Sequence, residues 1–253
     1  MNEIIISLHI PKTGGFYLGE VFNRLYGDDF VWVKFPPTVS SSTQNAVSII
    51  EKLNLDYDRI KVIHGHFPYG IHSYLPSTSI YKYMTFIRSP YERLLSIWEF
   101  YTTYHKELYK TLDFHSFYSW VKHSKEPTVN NNTVRYLCGD KTINNIRNKG
   151  IAIDLITLED YYRAIKNLST FWSIGLTERY EESLDAIFNF DYKNKIKDIE
   201  IAYSFPDRRK FEDLDIGEIE AIVEKNFYDI ELYRYVKSGK LGTRRTWIKN
   251  GQY

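Results

Sequence analysis

The segment Ile4-Ile5-Ile6-Ser7-Leu8-His9-Ile10-Pro11-Lys12-Thr13-Gly14-Gly15-Phe16-Tyr17 decides how this chain folds. An apolar run is stopped by Pro11 and followed by a lysine, a threonine and two glycines. Phe16, Leu18, Val21, Phe22 and Leu25 then recur at helical spacing. That order predicts a strand, a tight turn of backbone N–H groups and a helix N-terminus, which together form an anion site.

Working outward, further strands are expected over Phe30–Lys34, Arg59–His64, Lys82–Ile87 and Phe171–Gly175. Helices are expected over Thr43–Leu53 (Thr43 as N-cap), Phe114–His123, Leu158–Leu168, Tyr180–Phe188 and Gly217–Tyr235. After the Lys82–Ile87 strand, Ser89 reads as an N-cap, Pro90 as the first helical residue and Glu92 as the capping-box partner. That helix should reach about Glu107. Thr133–Leu137 and Ile143–Asn148 fit either helix or strand, and Lys193–Lys210 reads mostly as loop. Strands alternating with helices favour a parallel sheet covered on both faces, with ligands at the strands' carboxyl ends. The opening loop, the turn His64-Gly65-His66-Phe67-Pro68-Tyr69-Gly70 and the corner at Arg88 all fall at such ends.

Composition sets bounds. With 253 residues the chain suits one α/β domain spanning 1–253, with a polar tail over 238–253 expected to be mobile. A net charge of +1 gives no global field to gather nucleic acid, so an anion site must be local. Cys138 stands alone, so no intrachain disulfide forms, and a reducing, cytoplasmic setting is expected. No apolar run of about 18 residues is present to span a membrane, and no basic stretch precedes the first strand. Aromatic residues reach 17%, with 22 Tyr, which suits both a Tyr-rich core and stacking on sugar rings. Tyr69, Tyr74, Trp98 and Tyr101 are the stacking candidates, with core packing the expected fate of Trp98.

The chemistry lies in three places. In an NTPase P-loop the lysine follows the second glycine and precedes the Ser or Thr that holds magnesium. Here Lys12 precedes Gly14-Gly15, and Phe16 and Tyr17 follow them, so the order is wrong for a magnesium-nucleotide kinase. Arg88 and Ser96 supply a guanidinium fork and a hydroxyl for a second phosphate. His64 and His66 lie roughly 6.6 Å apart on one side of an extended segment. No third ligand accompanies them, so a turn-closing pair or a neutral base for a hydroxyl outranks a metal site.

Together these segments resemble the cofactor signatures of sulfotransferases that use 3′-phosphoadenosine 5′-phosphosulfate (PAPS). The resemblance covers roughly residues 4 to 236 and rests on three elements in order, each weak alone. It implies a P-loop NTPase-like three-layer α/β fold, a central parallel sheet flanked by helices. Pro11-Lys12-Thr13-Gly14-Gly15, with Phe16 and Tyr17 behind it, looks like the loop that holds the 5′-phosphosulfate. Arg88 to Ser96 looks like the segment that holds the 3′-phosphate. His64-Gly65-His66 is similar to the turn of the carbohydrate branch that includes the uronyl and heparan sulfate 2-O-sulfotransferases. By that likeness His66 is the base, His64 its support, and Lys12 stabilises charge on the oxygen bridging to the 5′-phosphate. Ser204, Arg208 and Arg209 resemble a basic loop that closes over the nucleotide. Similarity also appears at Asn130–Gly139, at Gly175–Arg179 and around Phe227-Tyr228. Arg135 and Glu178 fall there and are expected to be structural.

The resemblance thus implies in-line sulfuryl transfer to a carbohydrate or glycoconjugate hydroxyl, leaving 3′-phosphoadenosine 5′-phosphate (PAP), without a metal. Phe16 and Tyr17 stand where the family has small hydroxyl residues. The membrane anchor and luminal disulfides of animal relatives are absent, which points to a bacterial-type enzyme. A small-molecule kinase on the same scaffold and a non-catalytic nucleotide-binding protein remain as alternatives. Acceptor, modified position and oligomeric state leave no mark on the sequence.

Overall fold

The computed structural model describes residues 1–35, 42–104, 114–139, 154–188, 193–196, 199 and 209–239. Five strands, β1 (Glu3–Leu8), β2 (Phe30–Val33), β3 (Val62–Gly65), β4 (Ile80–Ile87) and β5 (Ser173–Leu176), form one sheet in the order β2-β3-β1-β4-β5. Every pairing is parallel. The expected three-layer, P-loop-like α/β architecture is borne out. β1 sits at the centre because its residues are apolar toward both faces, as a strand covered on both sides requires.

Alternation along the strands builds two cores. Ile4, Ile6, Leu8, Val31, Val33, Ile63 and Ile174 point to one face. There they pack under α2 (Thr43–Lys52), α5 (Asn132–Cys138), α6 (Leu158–Leu168) and the end of α9 (Ile216–Lys237). Val62, Met84 and Phe86 point to the other face, beneath α1 (Gly15–Tyr26) and α7 (Tyr180–Phe188). A third cluster around Trp120 joins α3 (Pro90–Thr103), α4 (Phe117–His123) and the first half of α9.

Some local expectations change. The cap of α2 is Ser42, whose Oγ accepts from the Asn45 N–H at 3.2 Å, one residue before Thr43. The box at Ser89 does not form. Its side chain caps nothing, and Glu92 bonds Arg88 and the Phe211 N–H instead. Capping boxes do form at Thr157/Asp160 and Asp215/Glu218. The 133–137 region is helical because Asp229, buried on α9, accepts the N–H groups of Thr133 (3.0 Å) and Val134 (2.8 Å) at the start of α5. Lys193–Ile196 forms one short helix, α8, in a stretch read as loop. Residues 143–148 and the tail from 240 lie outside the described residues.

α9 bends at Asn226 (φ −129°, ψ 28°), where the side chain inserts into the helical ladder. Its amide donates to the Val129 and Ile222 carbonyls at 2.9 and 3.2 Å. The Asn226 Oδ1 accepts from the Asn131 N–H at 3.2 Å, tying the bend to the approach to α5.

Candidate active site

The β1–α1 loop is held from several sides. Lys12 and Gly14 take positive φ, 67° and 84°. Thr13 Oγ1 donates to the Ile10 carbonyl at 2.8 Å, closing the turn from within. The Gly14 carbonyl accepts the first helical bond, from the Leu18 N–H at 3.1 Å, and a second from the Tyr180 hydroxyl at 2.8 Å. A Cβ on Gly14 would lie 2.5 Å from the Tyr180 ring, so the positive φ and the close approach both demand glycine. Gly15 is needed for another reason: its Cβ would lie 2.0 Å from the His9 ring. With Gly14 as cap, the first backbone N–H groups of α1 turn outward, the arrangement that receives anions.

Phe16 and Tyr17 turn their rings elsewhere. Phe16 packs edge-on against Trp32 (5.5 Å between centroids) and Tyr17 against Tyr180 (5.8 Å). Their contribution to the loop is therefore backbone, while the side chains anchor the helix that follows.

Parallel register assembles the histidines. Ser7 pairs with His64 and Leu8 with Gly65, and the His9 N–H donates to the Gly65 carbonyl at 2.9 Å. That step sets His9 beside His66, on the same sheet face as Ser7 and His64. The three imidazoles stack in the order His64, His9, His66, with centroid distances of 5.1 and 4.0 Å. His64 is fully buried. Its Nε2–H donates to the Gly15 carbonyl at 3.0 Å, and its Nδ1 accepts from Ser7 Oγ at 2.9 Å. It thus braces the start of α1 from below.

His66 Nδ1–H donates to the His9 carbonyl at 2.8 Å. A carbonyl only accepts, so the proton must sit on Nδ1, and the lone pair is on Nε2. No described residue bonds that Nε2. Burial, with a smaller contribution from the Lys12 charge, pushes the His66 pKa down to about 4; burial and His66 push His64 down to about 3. His9 lies well below the ordinary imidazole value for the same reason, burial first. All three rings are neutral at pH 7.

Arg88, at the end of β4, donates to the Lys12 carbonyl at 3.0 Å and meets Glu92 at 3.4 Å. The Lys12 ammonium lies 4.2 Å from the centre of the Phe100 ring. Glu92, Ser96 and Phe100 follow one another at four-residue spacing, so they share one face of α3. Buried Ser96 therefore lies between the residue that meets Arg88 and the one that meets Lys12. The two segments singled out as separate anion sites meet in one place.

Of the basic loop, Ser204 and Arg208 lie outside the described residues. Arg209 is engaged by Glu218 at 2.6 and 3.0 Å and donates to the Asp213 carbonyl at 2.9 Å. Glu178 accepts the Ser89 N–H at 2.7 Å, and Arg135 bonds the Asn130 and Asp154 carbonyls, both in structural roles. Among the described residues no group of three or more His, Cys, Asp or Glu side chains is arranged to hold a metal. None of the described helices is long and apolar enough to cross a membrane. His9, Phe100 and Tyr180 were assigned no site role from the sequence. His9 carried the one available signal, a titratable residue two positions beyond Ser7 in an apolar strand.

A parallel sheet with a lysine-bearing glycine loop after its central strand, beside an arginine from the next strand, defines the class as a three-layer α/β protein. The chain belongs to the sulfotransferase family, whose model matches residues 2–236. A search of curated proteins finds no match. Among solved structures, mouse sulfotransferase SULT7A1 complexed with PAP is similar at 12% identity and a TM-score of 0.40. The match covers 90% of this chain and 66% of that one, and at that similarity no residue role transfers.

Proposed function

We propose that this sulfotransferase moves the sulfuryl group of PAPS to a hydroxyl of a carbohydrate or glycoconjugate. The observation that carries the reading is the His66 hydrogen bond to the His9 carbonyl, which leaves a neutral Nε2 as a base near Lys12. The donor set fits a nucleotide bearing two anionic ends. Lys12 and the N–H groups at the start of α1 would hold the 5′-phosphosulfate, and Arg88 and Ser96 the 3′-phosphate. Arg209, with Ser204 and Arg208 from the same segment, would close over the nucleotide.

PAPS supplies an electrophilic sulfur and a phosphate leaving group. His66 Nε2 takes the proton as the acceptor oxygen bonds to sulfur and the bond from sulfur to the 5′-phosphate oxygen breaks. Lys12 steadies the charge growing on that oxygen. His64 acts from below, holding the Gly15 carbonyl and so the start of the helix. The products are a sulfate ester and PAP. The acceptor class rests on the His64-Gly65-His66 turn, which resembles the 2-O-sulfotransferase branch. The single cysteine supports a cytoplasmic setting, and we take residues 1–253 as one domain.

A thermal shift with PAP against ATP tests the donor. A ligand at a hundredfold excess over its Kd stabilises by about 2.7 kcal/mol, which raises the midpoint of a domain this size by about 5–10 °C. PAP should give that shift and ATP a smaller one. No shift with millimolar PAP overturns the donor assignment, and a larger shift with magnesium and ATP favours a kinase.

A further inference from the structure

We propose that His9 is the positioning residue for the base: its carbonyl fixes the tautomer of His66, and its ring, stacked on His66, shields the imidazole from water. This rests on the reading of His66 as the base. The inference begins with the stack, because a ring-to-ring distance of 4.0 Å leaves no room for water between His9 and His66.

The His9 ring is packed on both faces, by His64 and by His66. Its Nδ1 is buried and bonds no described residue, and its Nε2 lies against Gly15, 2.1 Å from where a Cβ would stand. Nδ1 thus faces protein, while Nε2 packs beside the start of α1. The ring is a wedge, set between His64 and His66 and backed by the helix start. Gly15 leaves the space for that wedge, which ties a glycine of the loop to the base rather than to the nucleotide.

The titratable groups facing His66 are His9 and Lys12 from the β1–α1 segment and His64 from β3. Protonating His66 would put a cation beside Lys12 and against the His9 ring. His9 contributes by excluding the water that would solvate that cation. Removing the ring lets water in, and the imidazole should then take a proton more readily.

Carbon- and nitrogen-detected NMR titration of the histidines in the intact chain tests this without an acceptor. Wild type should show the His66 Nδ1–H tautomer and a midpoint well below 6.5. His9→Ala should raise that midpoint by about one pH unit or more, whereas His9→Phe, which keeps a stacked ring, should hold it low. An Nε2–H tautomer in wild type, or an unmoved midpoint in a natively folded His9→Ala, overturns the proposal. If His9→Ala does not fold, His9→Phe decides: a His66 midpoint that rises toward 6.5 despite the retained ring overturns the shielding role. Turnover of PAPS by His66→Ala is measured beside these. Retained turnover there removes His66 as base, whatever the titration shows, so the two failures are separable. With turnover lost as expected, the acidic limb of kcat/KM should move to higher pH in His9→Ala by the same amount as the NMR midpoint.

Discussion

Lys12 and His66 are the residues on which the proposed chemistry turns, and they make different demands. Lys12 lies where the chain takes a positive φ, so its ammonium reaches the Phe100 ring while its carbonyl is held by Arg88. His66 has one nitrogen committed and one left for a proton. Lys12→Ala and His66→Ala should each lower turnover of PAPS by about 10²-fold or more. They should part in binding: Lys12→Ala weakens PAP, and His66→Ala leaves its affinity near wild type. Calorimetry with PAP and a turnover assay on a panel of oligosaccharides measure both. Near-normal turnover in either variant refutes that residue's role. Lys12 and Arg88 were legible because a cation beside glycines or at a strand end is a local signal. The His9–His66 bond was not, since it joins residues 57 positions apart.

At the scale of elements, the site depends on helices pinned by buried polar groups. Asp229 on α9 caps the start of α5 and lies 3.8 Å from Arg93 of α3, both side chains fully buried. Burial pushes the Asp229 carboxyl up, while Arg93 and the two N–H groups pull it down. Arg93 also donates to the Thr128 carbonyl at 3.0 Å, so α3, α5 and α9 share one polar junction. Asp229→Ala strands a buried guanidinium and two N–H groups, and should cost about 3–5 kcal/mol in urea unfolding. Asp229→Asn, which keeps an acceptor, should cost less. A loss below about 1 kcal/mol for Asp229→Ala would show that the junction contributes little. Apolar periodicity located α6 and α9 to within a residue or two. The helix at 132–138 was ambiguous because its cap comes from a carboxylate on a distant helix. Ser89 misled because Glu92, its nominal partner, meets stronger demands from Arg88 and the Phe211 N–H.

Across the whole molecule, the two cores on either side of the sheet differ in what they bury. One packs aliphatic side chains against tyrosines such as Tyr83 and Tyr136, and the other surrounds His64 with Phe22, Phe30 and Trp32. Folding depresses His64 from 6.5 to about 3, so between those values the unfolded chain binds more protons than the native one. Stability is then fully present above pH 6.5 and falls as pH drops toward 3, by up to about 1.4 kcal/mol per pH unit from this group. His9, His66 and His72 are shifted in the same direction and steepen the fall. The urea midpoint should therefore drop between pH 6.5 and 5, with Glu126, whose carboxyl is pushed up to about 7 by burial, opposing part of the fall; an NMR titration showing His64 protonated at pH 5 in the folded chain would refute its neutral burial. The amino-acid sequence by itself determined the parallel α/β architecture and the strand–glycine loop–helix form of the opening segment, because hydrophobic period and glycine placement act over a few residues. Only the tertiary structure decided that Lys12, Arg88 and Ser96 lie together and that three histidines form one stack. Those contacts come from strand register and helix docking, and the chain that connects them carries no local trace of either.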